Sequence, residues 1–250
     1  MEQSLSLRIG NFLYQHAYPI YKPVYFSFKK RQDAHELAFI RKVLRPSSVV
    51  LDIGANIGFY TLNFSKLIGD NGKVYAFEPD LLNFKHLSDN LQGVANVLLH
   101  NMAVSNKDGE LTMFVSHRLN VDNRTYEPGK YKSSYKVRSV SIDDMLPAGT
   151  KVDFIKMDIQ GSEYLALQGM ERTLKENPDC LLLCEYAPEY LLKCSGTTPQ
   201  QFETYLKDLG FNLYFLRDGK LSAFEPIVKA GNGDVYYENV VATKLTPNDL

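Results

Sequence analysis

A short apolar run leads into a glycine-rich loop whose residues suit the binding of a nucleotide-like ligand. The run VVLDI is followed by Gly54, Asn56 and Gly58, and a helical pattern begins at about Phe59. Glycines let the backbone turn sharply and approach a ligand closely, and the first turn of the helix presents free amide groups. The pattern therefore predicts that a carboxylate or phosphate group of a ligand binds at this loop.

The loop departs from the dinucleotide-binding fingerprint at the middle glycine of that motif. A G-x-G-x-x-G motif requires glycine where this chain has Asn56, and a side chain there crowds the approach of a pyrophosphate. The spacing therefore disfavours NAD and FAD. S-adenosylmethionine has no pyrophosphate, and its amino-acid end needs acceptors for an ammonium and donors for a carboxylate. Asp52, near the end of the first strand, is predicted to orient the loop or to bind that ammonium.

An acidic residue ends the second predicted strand, in the sequence FEPD. Glu78 lies about 20 residues beyond Gly58, the separation at which a carboxylate can accept both hydroxyls of an adenosine ribose. Taken alone, Asp52 or Glu78 could instead cap a loop. Together with the glycine loop they predict a site for S-adenosylmethionine and its product S-adenosylhomocysteine. The candidate cofactor-binding residues are Asp52, Gly54, Asn56, Gly58, Thr61, Glu78 and Asn101.

Two further acids are candidates for catalysis, because methyl transfer to an alcohol needs a group that takes up the hydroxyl proton. Asp158 ends the strand VDFIKMD beside the predicted cofactor crevice, and it is the first candidate base. Glu163 falls in the first turn of the next helix, where it could assist as a base or bind substrate hydroxyls. The alternative is that Asp158 orders the turn at Gly161 and that Glu163 only complements the helix dipole.

A metal ion or a histidine offers another route to the same chemistry. Asp158 and Glu185 end successive strands and are candidate oxygen ligands for Mg²⁺, but no third ligand is evident, so a metal requirement is not predicted. Histidine could also serve as the base, and the candidates are His35, His86, His100 and His117. The three cysteines form no C-x-x-C motif and are predicted to be buried, reduced thiols.

Short apolar runs alternate with segments of helical period from Val49 onward, which predicts a doubly wound α/β fold with a mostly parallel sheet. The predicted strands span residues 49–53, 73–78, 96–101, 152–158 and 180–186, and the crossover helices span 58–68, 80–91 and 162–175. A helix at 200–209 precedes two late strands, at 211–216 and 238–245, that are expected to pair at one edge. Glu78 and Asp158 then lie at the carboxyl ends of their strands.

Two segments fall outside this alternation. An insertion around residues 105–140 contains two extra predicted strands and a polar stretch with scattered aromatics, which is a candidate cover for the active site. Residues 1–33 are rich in tyrosine and phenylalanine, and Pro19 and Pro23 are expected to break any helix there. We expect this segment to be a cap docked on the domain of residues 34–250. A substrate lid, a dimer contact and a membrane-surface anchor are the alternatives.

The composition is that of one globular domain. The 250 residues are 44% hydrophobic and 23% charged, and a net charge of -1 gives no field that would attract nucleic acid. No apolar run is long enough to span a membrane, and the N-terminus lacks the pattern of a signal peptide. The chain is therefore expected to be cytoplasmic, to have no transmembrane segment and to bind no nucleic acid.

Four segments of the sequence resemble the FkbM-type S-adenosylmethionine-dependent methyltransferase family. They are VLDIGANIGFYT, FEPD, VRSVSIDDML and VDFIKMDIQGSEYLALQGM. The resemblance covers most of the chain after about Ala34, and the last segment is its most specific part. It implies a class I methyltransferase fold, Rossmann-like, with a seven-stranded sheet that has one antiparallel strand. It also implies O-methylation of sugars, polyketides and similar hydroxyl compounds. Many family members have glutamate where this chain has Gln160, which leaves open a mechanism that needs that carboxylate.

The function expected from these residues is methyl transfer from S-adenosylmethionine to a hydroxyl oxygen of a small molecule or glycan. The alternative from another class is a non-catalytic protein that binds an adenosine ligand on the same fold. A nucleic-acid methyltransferase is disfavoured because DIQG stands where amino-group enzymes usually carry Asn or Asp-Pro-Pro-aromatic, and a dehydrogenase is disfavoured by Asn56. The N-terminal aromatic residues make a homo-oligomer a further expectation.

Overall fold

The computed structural model describes residues 5–116, 123–226 and 236–246, in which helices and strands alternate. The helices are α1 (Leu5–His16), α2 (Tyr18–Gln32), α3 (Ala34–Val43), α4 (Phe59–Ile68), α5 (Leu81–Asn90), α6 (Ile142–Met145), α7 (Glu163–Gln168), α8 (Glu171–Glu176), α9 (Pro188–Ser195) and α10 (Pro199–Asp208). The strands are β1 (Val49–Ile53), β2 (Lys73–Phe77), β3 (Val97–His100), β4 (Ala103–Val104), β5 (Gly109–Val115), β6 (Ser133–Val140), β7 (Phe154–Met157), β8 (Leu181–Tyr186), β9 (Asn212–Arg217), β10 (Lys220–Ala223) and β11 (Glu238–Thr243).

Eight strands of the described chain form the main sheet, in the order β10-β9-β11-β8-β7-β1-β2-β3. Strands β8, β7, β1, β2 and β3 are parallel, whereas β11 runs antiparallel to both of its neighbours. The predicted doubly wound, mostly parallel sheet is thus confirmed. It has eight strands rather than seven because β9 turns through Asp218 and Gly219 into β10, which adds an antiparallel edge strand. Both turn residues have positive φ, as a two-residue hairpin requires.

The chain fills the main sheet outward from β1 in two directions. Strands β2 and β3 lie on one side of β1, and β7 and β8 lie on the other. Where the strand order reverses, between β1 and β7, a crevice opens at the carboxyl ends of the strands. Ile53 and Met157 pair at this edge and are fully buried, and Gly54 and Asp158, which follow them, line the crevice.

The insertion forms a second, small sheet in the order β4-β6-β5. Strands β5 and β6 pair antiparallel along their whole length, from Gly109 opposite Ser139 to Val115 opposite Ser133. The two extra strands predicted here are therefore present. Part of the polar stretch between them, residues 117–122, lies outside the described residues.

The N-terminal segment is helical, so the prediction that its prolines break any helix is wrong. Pro19 stands in the first turn of α2, where an amide hydrogen would have no helical partner in any case. Pro23 lies inside α2 and removes one backbone hydrogen bond. We attribute the helix's tolerance of this lost hydrogen bond to aromatic packing, since the ring centroids of Phe26 and Phe59 are 5.4 Å apart. Helices α1 and α2 are called the N-terminal helix pair below.

The helix predicted at 162–175 is interrupted between α7 and α8. A Cβ on Gly169 would lie 1.9 Å from the backbone oxygen of Ser105, so glycine allows the start of the insertion to approach this point closely. The break therefore lies at a close contact with the start of the insertion.

The prediction of buried thiols is confirmed for Cys180 and Cys184, whereas Cys194 is less buried than predicted. Cys180 and Cys184 are free and buried, and Cys194 is free and partly buried. Burial raises the pKa of Cys180 and Cys184, so both stay protonated.

In the part of the chain that the structure describes, no helix is both long enough and apolar enough to cross a membrane.

Candidate active site

A cavity of about 620 Å³ opens at the carboxyl ends of β1, β2 and β7. It is lined by the glycine loop after β1, by Glu78 after β2 and by Asp158 after β7. The N-terminal helix pair and the insertion contribute further lining residues. The structure thus brings four of the predicted site residues, Gly54, Asn56, Glu78 and Asp158, to one cavity.

The glycine loop adopts a conformation that its glycines make possible. Gly54 and Gly58 have φ values of 84° and 87°, in the left-handed region, and Asn56 has a φ of 50°. A Cβ on Gly54 would lie 2.0 Å from the carbonyl oxygen of Asp158, so only glycine lets the loop pass this strand end. The Gly54 amide donates to the carbonyl oxygen of Phe77 at 3.0 Å, which ties the loop to β2.

Asp52 and Thr61 form a buried pair outside the cavity. The Thr61 hydroxyl donates to Asp52 Oδ2 at 2.6 Å, and both side chains are fully buried. Burial raises the pKa of Asp52, against the opposing influence of Lys156 and of the Thr61 hydroxyl. Neither residue lines the cavity. This placement favours the loop-orienting role of Asp52 over a direct contact with an ammonium group.

Glu78 connects the cavity to the glycine loop. One carboxylate oxygen accepts the Asn56 amide at 2.8 Å, and the other accepts the Asp80 amide at 2.9 Å. Glu78 is 5% exposed, and burial raises its pKa to about 7 in spite of these hydrogen bonds. Asn101 supports the same turn from outside the cavity, because its Nδ2 donates to the carbonyl oxygen of Glu78 at 2.8 Å.

Asp158 presents a partly exposed carboxylate to the cavity. Its side chain is 43% exposed, the Lys156 ammonium lies 3.5 Å from Oδ2, and Gln160 Nε2 donates to Oδ1 at 3.3 Å. Desolvation would raise the pKa of this carboxyl group, but Lys156, Lys29 and the Gln160 amide lower it below the ordinary value. Asp158 is therefore ionised at neutral pH and can accept a hydrogen bond from a hydroxyl group.

Lys156 is a site residue that the sequence analysis missed. It stands inside β7, is 7% exposed, and places its Nζ 4.6 Å from the centre of the Tyr60 ring. Burial opposes its charge, but Asp158, Asp52 and Glu185 raise its pKa, so the ammonium stays protonated. The available signal was a lysine inside an apolar strand, because a buried ammonium is costly unless acids surround it.

Glu163 lies outside the cavity, against the turn that follows Asp158. It is fully buried, and its Oε1 accepts the Ile159 amide at 3.0 Å. Burial raises the pKa of Glu163 to about 7. Of the two candidate catalytic acids, only Asp158 reaches the cavity, and the contacts of Glu163 indicate that it holds the turn.

The part of the cavity next to Asp158 is polar. The Gln160 side-chain amide donates to Glu185 Oε2 at 3.1 Å as well as to Asp158, so one amide links two carboxylates. From the insertion, the Thr125 hydroxyl shares a hydrogen bond of 2.6 Å with the hydroxyl of Ser162. These donors and acceptors suit a ligand that carries hydroxyl groups.

Helix α2 gives the cavity an aromatic wall. Tyr21, Tyr25 and Phe28 line it, together with the partly buried Lys29. The rings of Tyr21 and Tyr25 stack with their centroids 5.3 Å apart. The sequence indicated that this segment packs on the domain, and the structure places it at the cavity.

Among the described residues, neither the metal alternative nor the histidine alternative gains support from the geometry. They contain no group of His, Cys, Asp and Glu side chains that could hold a metal ion. His35, His86 and His100 do not line the cavity, and His117 lies outside the described residues. The His86 ring is instead stacked on Tyr18 with the centroids 3.5 Å apart. Of the candidate bases within the described residues, only Asp158 lines the cavity.

Comparison with known proteins places these residues inside a known domain. The sequence profile of the Methyltransferase FkbM domain matches residues 52–213. That span contains the glycine loop, Glu78, the insertion and Asp158. No curated protein matches the chain.

Solved structures share the fold at low sequence identity. Methyltransferase FkbM from Methylobacillus flagellatus KT is 17% identical with a TM-score of 0.50, over 82% of this chain and 50% of that one. This chain therefore spans about half the length of that protein. SMU.1697c from Streptococcus mutans, solved in complex with SAH, is 13% identical with a TM-score of 0.51, over 84% of this chain and 96% of that one. At these identities the likeness establishes the fold.

Proposed function

The chain belongs to the FkbM methyltransferase family, and we propose that it transfers the methyl group of S-adenosylmethionine to a hydroxyl oxygen of a small molecule or sugar. The observation that carries this proposal is one cavity that contains the glycine loop, Glu78 and the ionised Asp158. The glycine loop and Glu78 suit a nucleoside cofactor, and Asp158 suits a methyl acceptor that carries a hydroxyl group. When bound, the cofactor supplies an electrophilic methyl group on a sulfonium sulfur.

The polar groups at the cavity fit those of S-adenosylmethionine. Glu78 and Glu185 are hydrogen-bond acceptors, and the ligand offers an ammonium and ribose hydroxyls as hydrogen-bond donors. We assign Glu78 to the ribose hydroxyls and the loop at Gly54 and Asn56 to the amino-acid end. The other members of the candidate set support the loop and the turn at Glu78 from outside the cavity: Asp52, Gly58, Thr61 and Asn101.

Asp158 positions the acceptor and takes up its proton in this proposal. Methyl transfer is an in-line displacement, so the acceptor oxygen must stand about 3 to 3.5 Å from the methyl carbon. The Asp158 carboxylate would accept a hydrogen bond from the hydroxyl of the methyl acceptor and receive its proton as the carbon–oxygen bond forms and the methyl carbon–sulfur bond of the cofactor breaks. Lys156 keeps this carboxylate ionised, and Glu163 holds the turn that carries it.

Methyl transfer to a panel of sugars, phenols and other alcohols tests this function. We expect the wild-type chain to form S-adenosylhomocysteine only when an acceptor is present, and mass spectrometry and NMR should locate the new methyl group on oxygen. Asp158→Asn should lower kcat by about 10² to 10⁴, because the carboxylate that takes the proton is gone. Asp179→Asn is the matched control, since this acid precedes β8 and lines a different pocket at the amino ends of the strands.

Three outcomes would contradict parts of the proposal. Methylation on nitrogen or sulfur would refute the hydroxyl acceptor. A wild-type rate in Asp158→Asn would remove this residue from the chemistry. Tight binding of the cofactor without turnover of any acceptor would favour the non-catalytic binding protein on the same fold.

A further inference from the structure

The N-terminal helix pair carries apolar side chains on faces that are turned to solvent. Ile20, Val24 and Phe28 follow one another at a spacing of four residues on α2, and Ile9 and Phe12 lie three residues apart on α1. Each of the five is between 51% and 65% exposed. Side chains three or four residues apart share one face of a helix, so each helix presents a row of exposed apolar side chains. These two rows are called the apolar strips.

Other residues of the pair attach it to the rest of the chain. The Tyr14 hydroxyl donates to Asn83 Oδ1, and the Tyr18 hydroxyl accepts a hydrogen bond from Asn90 Nδ2 at 2.6 Å. The Tyr18 ring also stacks on His86. Because these contacts hold the helices in place, the apolar strips are not needed for that attachment. Exposed apolar surface of this kind marks a site of interaction with something outside the chain.

The charge of the pair indicates which kind of surface fits. Residues 5–32 contain no aspartate or glutamate, whereas the whole chain has a net charge of -1. Their basic residues are Arg8, Lys22, Lys29, Lys30 and Arg31. Lys29 is paired with Asp33, but Lys30 and Arg31 are exposed and follow directly after the strip on α2. A second copy of the chain would bring two basic surfaces together, whereas an anionic phospholipid surface would attract this one.

We propose that the N-terminal helix pair binds the surface of a membrane that contains anionic phospholipids. The apolar strips enter the boundary between headgroups and acyl chains, and Lys30 and Arg31 lie near the lipid phosphates. The helices lie in the plane of the surface. Phe28 belongs to the strip on α2 and also lines the cavity, so the bound membrane borders the cavity.

Sedimentation of the full chain with lipid vesicles tests this proposal without any cofactor or acceptor. The probes are vesicles of phosphatidylcholine alone and of phosphatidylcholine with about one third phosphatidylserine. The wild-type chain should bind the anionic vesicles at least about tenfold more tightly than the neutral ones, and the binding should weaken as salt is raised. The same measurement on substituted chains then separates the apolar contribution from the basic one.

Two double variants and one matched control define the surface. Ile20→Ser with Val24→Ser removes the strip on α2 at residues that do not line the cavity, and binding to anionic vesicles should fall about tenfold or more. Lys30→Glu with Arg31→Glu should cause a similar loss and abolish the preference for anionic lipid. Leu192→Ser on α9 is the control, because this leucine is comparably exposed and lies outside the helix pair, so binding should be unchanged.

Circular dichroism and thermal unfolding of each variant establish that it is folded, as expected for substitutions at exposed positions. The proposal is overturned if the wild-type chain binds neither kind of vesicle, or if the Ile20→Ser, Val24→Ser variant binds as well as the Leu192→Ser control. It is also overturned if sedimentation velocity without lipid shows a dimer that the serine variant dissociates, because the strips then join two copies of the chain.

Discussion

Asp158 and Lys156 stand two residues apart at the end of β7, and their pairing sets the charge of the candidate base. Desolvation in the cavity raises the pKa of Asp158, and the neighbouring Lys156 ammonium is the largest influence that lowers it, which favours a carboxylate that accepts a hydrogen bond from a hydroxyl. The ammonium is in turn stabilised by four acids, Asp158, Asp52, Glu185 and Asp33, which explains how a lysine can be buried inside a parallel strand. The two residues therefore act as one unit.

Removing the Lys156 charge should impair methyl transfer through Asp158. In Lys156→Met the pKa of Asp158 should rise, because the main charge that opposes its desolvation is lost. The rate at neutral pH should fall by about tenfold or more, and the acidic limb of the pH–rate profile should move to higher pH. Lys151→Met is the matched control, since Lys151 pairs with Asp153 at 2.7 Å at the start of the same segment. An unshifted acidic limb in Lys156→Met would contradict this role.

Gln160 provides two hydrogen-bond donors that glutamate could not provide. Its amide donates to Asp158 Oδ1 and Glu185 Oε2, and a carboxylate in its place would add a third negative charge at this point. The sequence showed the departure from the family pattern but not its consequence, because the contact with Glu185 depends on the neighbouring strand. A mechanism for this chain therefore needs no carboxylate at residue 160.

Glu163 should make the stability of the chain depend on pH. Burial raises its pKa to about 7, from a value of 4.5 for the unperturbed group. Between these values the folded chain holds a proton that the unfolded chain has lost, so this contribution is present at low pH and is lost as pH rises through 7. The fall in unfolding free energy from pH 5 to pH 8, measured in urea, should be smaller in Glu163→Gln by roughly 2 to 3 kcal/mol.

Glu110→Gln provides the control for this pH dependence, because Glu110 is exposed on β5. Its unfolding free energy should follow the wild-type curve with pH. If Glu163→Gln also follows the wild-type curve, Glu163 is ionised in the folded chain and the stated effect of burial on its pKa is wrong.

At the level of elements, the strands could be predicted because burial on both faces leaves short apolar runs. The predicted ends of β1 and β2 agree with the structure to within about one residue. The break at Gly169 and the helix through Pro23 could not be predicted, since both lie beside distant residues whose approach has no signal in the local sequence. The hairpin that adds β10 has the Asp-Gly turn signal at residues 218–219, which hydrophobic periodicity alone does not contain.

The glycine loop should not tolerate a side chain at its first glycine. In Gly54→Ala the new Cβ would lie 2.0 Å from the Asp158 carbonyl oxygen, and alanine would be strained at a φ of 84°. We expect a loss of about 3 kcal/mol or more in unfolding free energy, and cofactor binding at least about tenfold weaker. Denaturant unfolding and titration calorimetry measure the two effects.

Gly93→Ala distinguishes the effect of backbone strain from the effect of the steric clash with the Asp158 carbonyl oxygen. Gly93 has nearly the same φ, 81°, but nothing lies within 4 Å of an added Cβ. The unfolding free energy of this variant should fall only by the cost of backbone strain, roughly 1 to 2 kcal/mol. The variant should bind the cofactor normally. If both variants lose the same stability and both still bind, the close passage of the loop past Asp158 is not what requires glycine.

For the whole molecule, closure of the cavity requires parts of the chain that are remote in sequence. We propose that residues 1–33 act as a cap on the domain of residues 34–250, and that the insertion around 105–140 covers the cavity with it. Tyr21 and Tyr25 of α2 and Thr125 of the insertion line the cavity, which supports this division. The aromatic content of the N-terminus indicated that it packs somewhere. Its position could not be predicted, because contacts such as Tyr18 on His86 have no local signal.

Calorimetric titration of S-adenosylmethionine and S-adenosylhomocysteine tests the central claim most directly, namely that this cavity binds the methyl donor. The wild-type chain should bind both, Glu78→Gln should bind at least about tenfold more weakly, and Asp158→Asn should stay within about threefold of wild type. The first variant loses a carboxylate assigned to the ribose hydroxyls, whereas the second loses the group assigned to the acceptor. A wild-type chain that binds neither ligand, or that binds NAD more tightly than either, would contradict the account.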